Sequence, residues 1–215
     1  MLDTIGCCVY GVTLAPVGKL LSMVLAEEAR PAAQILGAGL RTSPASAALV
    51  NATAAHAFQL DEVHAGSTLH PGSVIVPTVL ALSQGAGGVS GRDFITAMVA
   101  CYELGIRIGQ ASKGLTFKRG YHNQSTTGPL AAAAAPARML DLDEVRTMHA
   151  LGLAASQAAG LMAVQEGANA KSFHSGRASQ SAVYAALLAR EDYTGIEDVL
   201  DLHYSGFFST LVGKP

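Results

Sequence analysis

Apolar residues return at intervals of three and four through most of this chain, separated by short clusters of glycine, proline and polar side chains, and the pattern predicts a succession of helices. Residues 3–26 form the first helical stretch, interrupted near Pro16 because proline lacks the backbone donor and crowds the preceding turn. Ser43-Pro44 supplies an N-cap followed by proline at the first helical position. It opens a helix over 45–60 with Ala48, Leu49, Ala52 and Ala55 on related faces. A polar loop over 63–69 leads to His70-Pro71-Gly72, where Pro71 opens a helix carrying Val74, Ile75, Thr78, Val79 and Leu82. Breakers over 85–89 precede Ser90-Gly91-Arg92-Asp93, which has capping-box spacing with Asp in place of Glu. From there Phe94, Met98, Cys101, Gly105 and Ile108 recur on one face, leaving Arg92, Glu103 and Arg107 for the other.

Residues 113–127 show no sustained period and read as a polar loop that concentrates Lys118, Arg119, Tyr121, His122, Asn123, Gln124 and Ser125. An alanine-rich helix is predicted over 129–140, with Pro136 as the point for a kink. Asp141 and Glu144 open the next, in which Val145, Met148, Gly152, Ala155 and Ala159 share a face. A second loop covers 162–174, and the last long helix runs from 175 to about residue 191. No repeat or linker divides the chain, so residues 1–215 are expected to form one all-α domain.

Composition supports this class. Half of the side chains are hydrophobic, only 6% are aromatic and 23 are glycine, a mixture suited to closely packed helices more than to strands. Charged residues make up 14% with a net charge of −2 and no long run of one sign, which leaves no electrostatic footprint for nucleic acid. The least charged helical window, 147–165, contains His149, Ser156 and Gln157 and reads as a buried helix, not a membrane span. Cys7, Cys8 and Cys101 form no paired framework, and the first residues carry no basic signal-like region, so a reducing, cytoplasmic setting is expected.

Candidate chemistry gathers at predicted helix ends. Gln59, Asp61, Glu62 and His64 follow the helix over 45–60, His70 stands at the start of the next, and His122 and Lys171, the latter with His174, lie in the two polar loops. Each residue has an ordinary explanation as well: a solvated helix end, a loop histidine, an exposed lysine. Asp61, Glu62, His64 and His70 are of metal-ligating types, but their spacing matches no metal motif and no metal is expected. The chain also lacks a Gly-x-Ser-x-Gly elbow and a phosphate loop, and Gly37-Ala38-Gly39 does not complete a dinucleotide fingerprint.

Taken in order, several segments resemble the MmgE/PrpD family. These are Leu2-Asp3-Thr4-Ile5-Gly6-Cys7, Asn51-Ala52-Thr53-Ala54-Ala55-His56, Leu60-Asp61-Glu62-Val63-His64 and His70-Pro71-Gly72, followed by Ser90-Gly91, Tyr102-Glu103 with Arg107, Gly120-Tyr121-His122, 171–176 and Tyr193-Thr194-Gly195. The resemblance implies a multi-helix domain and cofactor-independent chemistry on small di- and tricarboxylates. The family includes 2-methylcitrate dehydratase, cis-aconitate decarboxylase and iminodisuccinate epimerase. Carried onto this chain, it implies His70, His122 and Asp61 as catalytic residues, with Gln59, Lys171 and His64 binding substrate.

The resemblance also implies a homodimer. Gln59 stands where the decarboxylase-like pattern has an acidic residue, and a carboxamide cannot serve as a base; the wording over 60–64 leans toward the epimerase-like branch. Family members are roughly twice as long as this chain, beyond the ~50–250 residues of a usual single domain. The 215 residues here are therefore expected to begin inside the family's first helical region and to stop before its α+β lid domain, leaving a fragment, a split subunit completed by a separate lid-domain chain, or an inactive assembly module.

Overall fold

The computed structural model describes residues 1–213. Helix α1 (Leu2–Gly11) and helix α2 (Ala15–Leu25) replace the single interrupted stretch, bent 85° from one another, with Pro16 in the first turn of α2 where its missing N–H is harmless. Between them and α3 (Pro44–Ala57) lies an unanticipated antiparallel hairpin of β1 (Ala33–Ile35) and β2 (Leu40–Thr42). Buried Asn51 ties this hairpin to α3, accepting from Leu36 N at 2.9 Å and donating to Gln34 O at 2.9 Å. There follow α4 (Pro71–Gly85), α5 (Gly91–Ala111), α6 (Leu115–Lys118), α7 (Asn123–Ala132), α8 (Pro136–Met139), α9 (Glu144–Ala155), α10 (Ala170–Arg190) and α11 (Phe207–Leu211). Among the described residues no single helix is long and apolar enough to cross a membrane.

Four of the expected boundaries move. The segment read as a loop up to residue 127 turns helical at Asn123, and every residue of α7 is buried, so it has no polar face and hence no period to read. The alanine run is divided by a turn between α7 and α8, which begins at Pro136. Helix α10 starts at Ala170 instead of 175, which places Lys171 and His174 on its first turns and not in a loop. The cap of α9 is Asp143, whose side chain accepts from Arg146 N, and Val145 faces solvent.

The centre of the fold is α3, packed on α10, α4 and α1, with α7 filling the space between α4, α5 and α10. Small residues allow the close approach: a Cβ on Gly176 of α10 would collide with Thr53 and the Leu49 carbonyl of α3. A hydroxyl pair also bridges two helices inside the bundle, where Thr78 Oγ1 donates to Val74 O at 2.8 Å and lies 2.8 Å from Ser179 Oγ across the α4/α10 contact.

Candidate functional site

His56 is the only ionisable side chain on α3, and it is 1% exposed. An imidazole there needs a partner, and the chain supplies one five residues on: Asp61, 4% exposed, receives the His56 Nδ1 proton at 2.9 and 3.1 Å. The same carboxylate lies 3.4 Å from Nδ1 of His70, which also approaches the Asp61 backbone carbonyl at 3.3 Å. Because an ionised carboxylate only accepts, both histidines turn an Nδ1–H toward Asp61, and His70 keeps Nε2 for other work. Burial pushes the Asp61 carboxyl up, but the hydrogen bonds and charge of His56 and His70 outweigh it and hold the group well below the usual carboxylate range. For His70 burial lowers basicity, and Asp61 reverses the effect, so its pKa is raised.

His70 is the N-cap of α4, and its backbone is gripped by Gln124 from α7. The Gln124 amide accepts from His70 N at 3.0 Å and donates to His70 O at 2.7 Å and Ser73 Oγ at 2.6 Å. Glu62 does structural work beside it. Its carboxylate accepts from Gly72 N at 2.6 Å, in the first turn of α4, and from the Tyr102 hydroxyl at 2.8 Å.

His122 is the N-cap of α7, 8% exposed, with its ring 6.1 Å from that of His56. Its Nδ1 meets Nδ1 of His174 at 2.9 Å. Burial first, then the charges of His174, His56, Lys171 and His70, push the His122 pKa down to about 3, so it is a neutral imidazole near pH 7. His174 is lowered as well, by burial and by His56. Lys171 completes the group, its ammonium donating to Gln59 Oε1 at 2.6 Å. Gln59 adopts φ 55°, and this left-handed turn carries the chain from the end of α3 toward Asp61.

The structure thus brings Asp61, His70, His122, Lys171 and Gln59 to one end of the bundle. His64 does a different job: its Nδ1 accepts from Ser67 N at 3.2 Å and meets Ser67 Oγ at 3.0 Å, capping the 3-10 turn Ala65–Ser67. His56 carries no role in the sequence reading and His174 stands there only as a neighbour of Lys171, although both fall inside segments that bear the family resemblance. The legible signal for His56 was its isolation as the sole ionisable group on a helix of alanines.

Among the described residues, His56, Asp61 and His70 are the one group whose candidate ligand atoms lie close enough for a metal, all within 4.8 Å. Both Asp61 oxygens and the Nδ1 atoms of both histidines already satisfy one another, so these residues fit a hydrogen-bonded triad better than an ion cradle.

The MmgE/PrpD N-terminal domain matches residues 1–215. The cis-aconitate decarboxylase-like protein oryM of Aspergillus oryzae is 34% identical over 97% of this chain and 45% of its own length. Cis-aconitate decarboxylase of Aspergillus terreus is 32% identical over 96% of this chain and 43% of its own, and the human enzyme of that name is 31% identical over 78% and 35%. These relatives bear the decarboxylase name and give the lean toward the epimerase-like branch no support. The chain spans less than half the length of the curated relatives it matches. With a family match that runs the length of the sequence, the chain belongs to the MmgE/PrpD family, as that family's helical N-terminal domain.

Proposed function

We propose that this end of the bundle is the N-terminal-domain share of a lyase active site, which moves a proton at a carbon next to a carboxylate of a small di- or tricarboxylate. The observation that carries the reading is a pair of neighbouring imidazoles driven in opposite directions: His70 raised by Asp61, His122 lowered by burial and neighbouring cations. Such a division assigns acid and base from environment. His70, as imidazolium, delivers a proton through Nε2, and His122, neutral, accepts one.

Charge on the substrate is met by Lys171, of whose three N–H groups Gln59 occupies one, and by the N-termini of α4, α7 and α10, which begin beside His70, His122 and Lys171. Gln59 in this reading orients the ammonium and does not act as a base. Of the reactions open to such a site, decarboxylation is the one that the relatives' names favour. A carboxylate leaves as carbon dioxide, its bonding pair stays on carbon as an enolate-like anion beside Lys171, and the proton from His70 quenches it.

Calorimetric titration of the 215-residue chain with cis-aconitate, citrate and succinate tests the reading. Binding of a tricarboxylate, weakened about tenfold or more in Lys171→Ala, is the expected result. A folded wild-type chain that binds none of the three overturns it.

The second reading is a non-catalytic assembly module that pairs as a homodimer. It is favoured by exposed Leu2, Tyr10, Phe58 and Leu60 around an open groove of about 660 Å³ beside the site. Light scattering that finds only monomer counts against it.

A further inference from the structure

We infer that His174 is a positioning residue and proton-relay partner that acts through His122, the two rings sharing one proton between their Nδ1 atoms. The inference rests on the reading of His122 as a base given above.

The geometry admits few alternatives. Two Nδ1 atoms 2.9 Å apart hold one hydrogen between them, because two would collide and none would leave facing lone pairs. For a neutral pair this leaves two arrangements. In one, His122 donates from Nδ1, its Nε2 carries a lone pair, and Nε2 of His174 holds a proton. In the other, His174 donates from Nδ1, Nε2 of His122 holds the proton, and Nε2 of His174 is bare. Conversion of the first into the second takes one proton in at His122 Nε2, moves one between the Nδ1 atoms and releases one from His174 Nε2. Protons balance, and when the three transfers are concerted no imidazolium forms.

The surroundings favour that route. The groups facing His122 are His56 from the end of α3, His70 from the start of α4, and Lys171 and His174 from α10, while the Asp61 carboxylate is taken up by His56 and His70. A base in this setting does poorly as a cation, and a partner that removes the charge as it arrives answers the difficulty. His174 is partly exposed and so has a path to solvent.

The rings are also held in place. His122 N donates to Gly160 O at 3.0 Å and Ser125 Oγ donates to His122 O at 2.8 Å. Gly160 sits at φ 152°, where a side chain would run into the Ser125 hydroxyl and come within 3.0 Å of His174 Cε1. The absence of a Cβ there is what lets His174 reach His122.

Histidine-selective ¹⁵N labelling of the 215-residue chain, read by long-range imidazole correlation spectra through a pH titration, tests the pair without any substrate. In wild type, Nδ1 of both rings is expected at shifts between the protonated and bare values. In His174→Asn the amide keeps a hydrogen bond to His122 but cannot relay, so His122 settles into one tautomer. His122 shifts and titration identical in wild type, His174→Asn and His174→Ala overturn the inference. If neither variant folds, wild-type spectra with Nε2–H on both rings and both Nδ1 bare overturn it alone.

Solvent deuterium uptake into a bound tricarboxylate gives the kinetic arm. His174→Asn is expected to slow uptake about 10²-fold with affinity unchanged, and uptake within twofold of wild type overturns the relay. Absence of polycarboxylate binding by wild type defeats the proposed function instead, and the spectra still decide the pair.

Discussion

Replacing Asp61 with asparagine keeps the shape of the side chain and removes its charge, which isolates the electrostatic centre of the site. The wild-type carboxylate accepts from His56 Nδ1 through both oxygens and lies 3.4 Å from His70 Nδ1, wholly out of water. An asparagine offers one accepting oxygen. Its NH₂ then faces an imidazole N–H, donor against donor. A hydrogen bond to a charged group contributes ~1.5–3 kcal/mol and a buried donor left unpaired costs ~1–3 kcal/mol, so the expected loss is ~3 kcal/mol at neutral pH. In a domain of this size each kcal/mol moves Tm by about 2–4 °C, giving a fall of roughly 6–12 °C.

The pH dependence has a definite sign. The folded Asp61 carboxyl titrates below its unfolded value, so its contribution is complete above about pH 4 and is lost as pH falls through the folded pKa. His70 is raised on folding, so its contribution is complete below about pH 6.5 and is lost as pH rises through the folded value. Thermal denaturation followed by far-ultraviolet circular dichroism should therefore show a wild-type advantage that narrows in acid below about pH 4. A gap under ~1 kcal/mol at neutral pH, or one that acid leaves unchanged, would refute the assignment of Asp61 as the charged hub.

Other consequences are independent of that one. Gly160→Ala places a methyl against Ser125 and His174 at a backbone angle that L residues rarely adopt; a loss of ~2–4 kcal/mol in urea denaturation is expected, with the His174 ring signals displaced. Thr78→Val leaves Ser179 without its cross-helix partner inside the core and should cost ~1–2 kcal/mol, measurable as a lower urea midpoint at constant slope. Lys171→Met removes a partly exposed ammonium whose one protein partner is the exposed Gln59, so Tm should stay within about 2 °C of wild type while tricarboxylate affinity falls about tenfold.

How much of this was legible in the sequence depended on whether a helix has a wet side. Helix α5 carries an apolar stripe against charged Arg92, Glu103 and Arg107, and its start at Ser90 and its course through Ile108 agree with the periodic reading. Helix α7 is immersed. In α7 the run Asn123-Gln124-Ser125-Thr126-Thr127 looks like a surface loop, yet all five residues are buried. Two of them bond other elements, Gln124 the start of α4 and Asn123 Nδ2 the Ser67 carbonyl at 3.3 Å, while Ser125 donates to His122 O at the cap of α7 itself. Polarity there measures the demand of neighbouring backbone, not exposure. The hairpin escaped notice for a related reason: strands of three residues are too short for alternation to show, and Asn51, which holds them, lies elsewhere in the chain.

The site residues could be named from their chemistry, but their functions could not be separated without distances. Asp61 and His64 sit three residues apart in a single polar segment, and only the fold shows that one is the hub of three histidine and carboxylate side chains while the other caps a turn. His56 lies on a helix among small residues, and so does His174, which the periodic pattern leaves at the end of a loop. That placement is what makes them matter. An imidazole on a buried helix face meets whatever the adjoining helix ends present, and here these are the N-caps His70 and His122. Cap positions point their side chains away from the helix body, whereas positions within the helical turns point theirs across to a neighbour. Pairing one of each kind yields two histidine couples, His56 with His70 through Asp61 and His174 with His122 directly. The couples differ in one component, a carboxylate present in the first and absent from the second. The carboxylate reverses the effect of burial on His70, while burial and the charges of His174, His56, Lys171 and His70 lower His122 unopposed, and the two opposite shifts give the division of acid from base that the proposed chemistry requires.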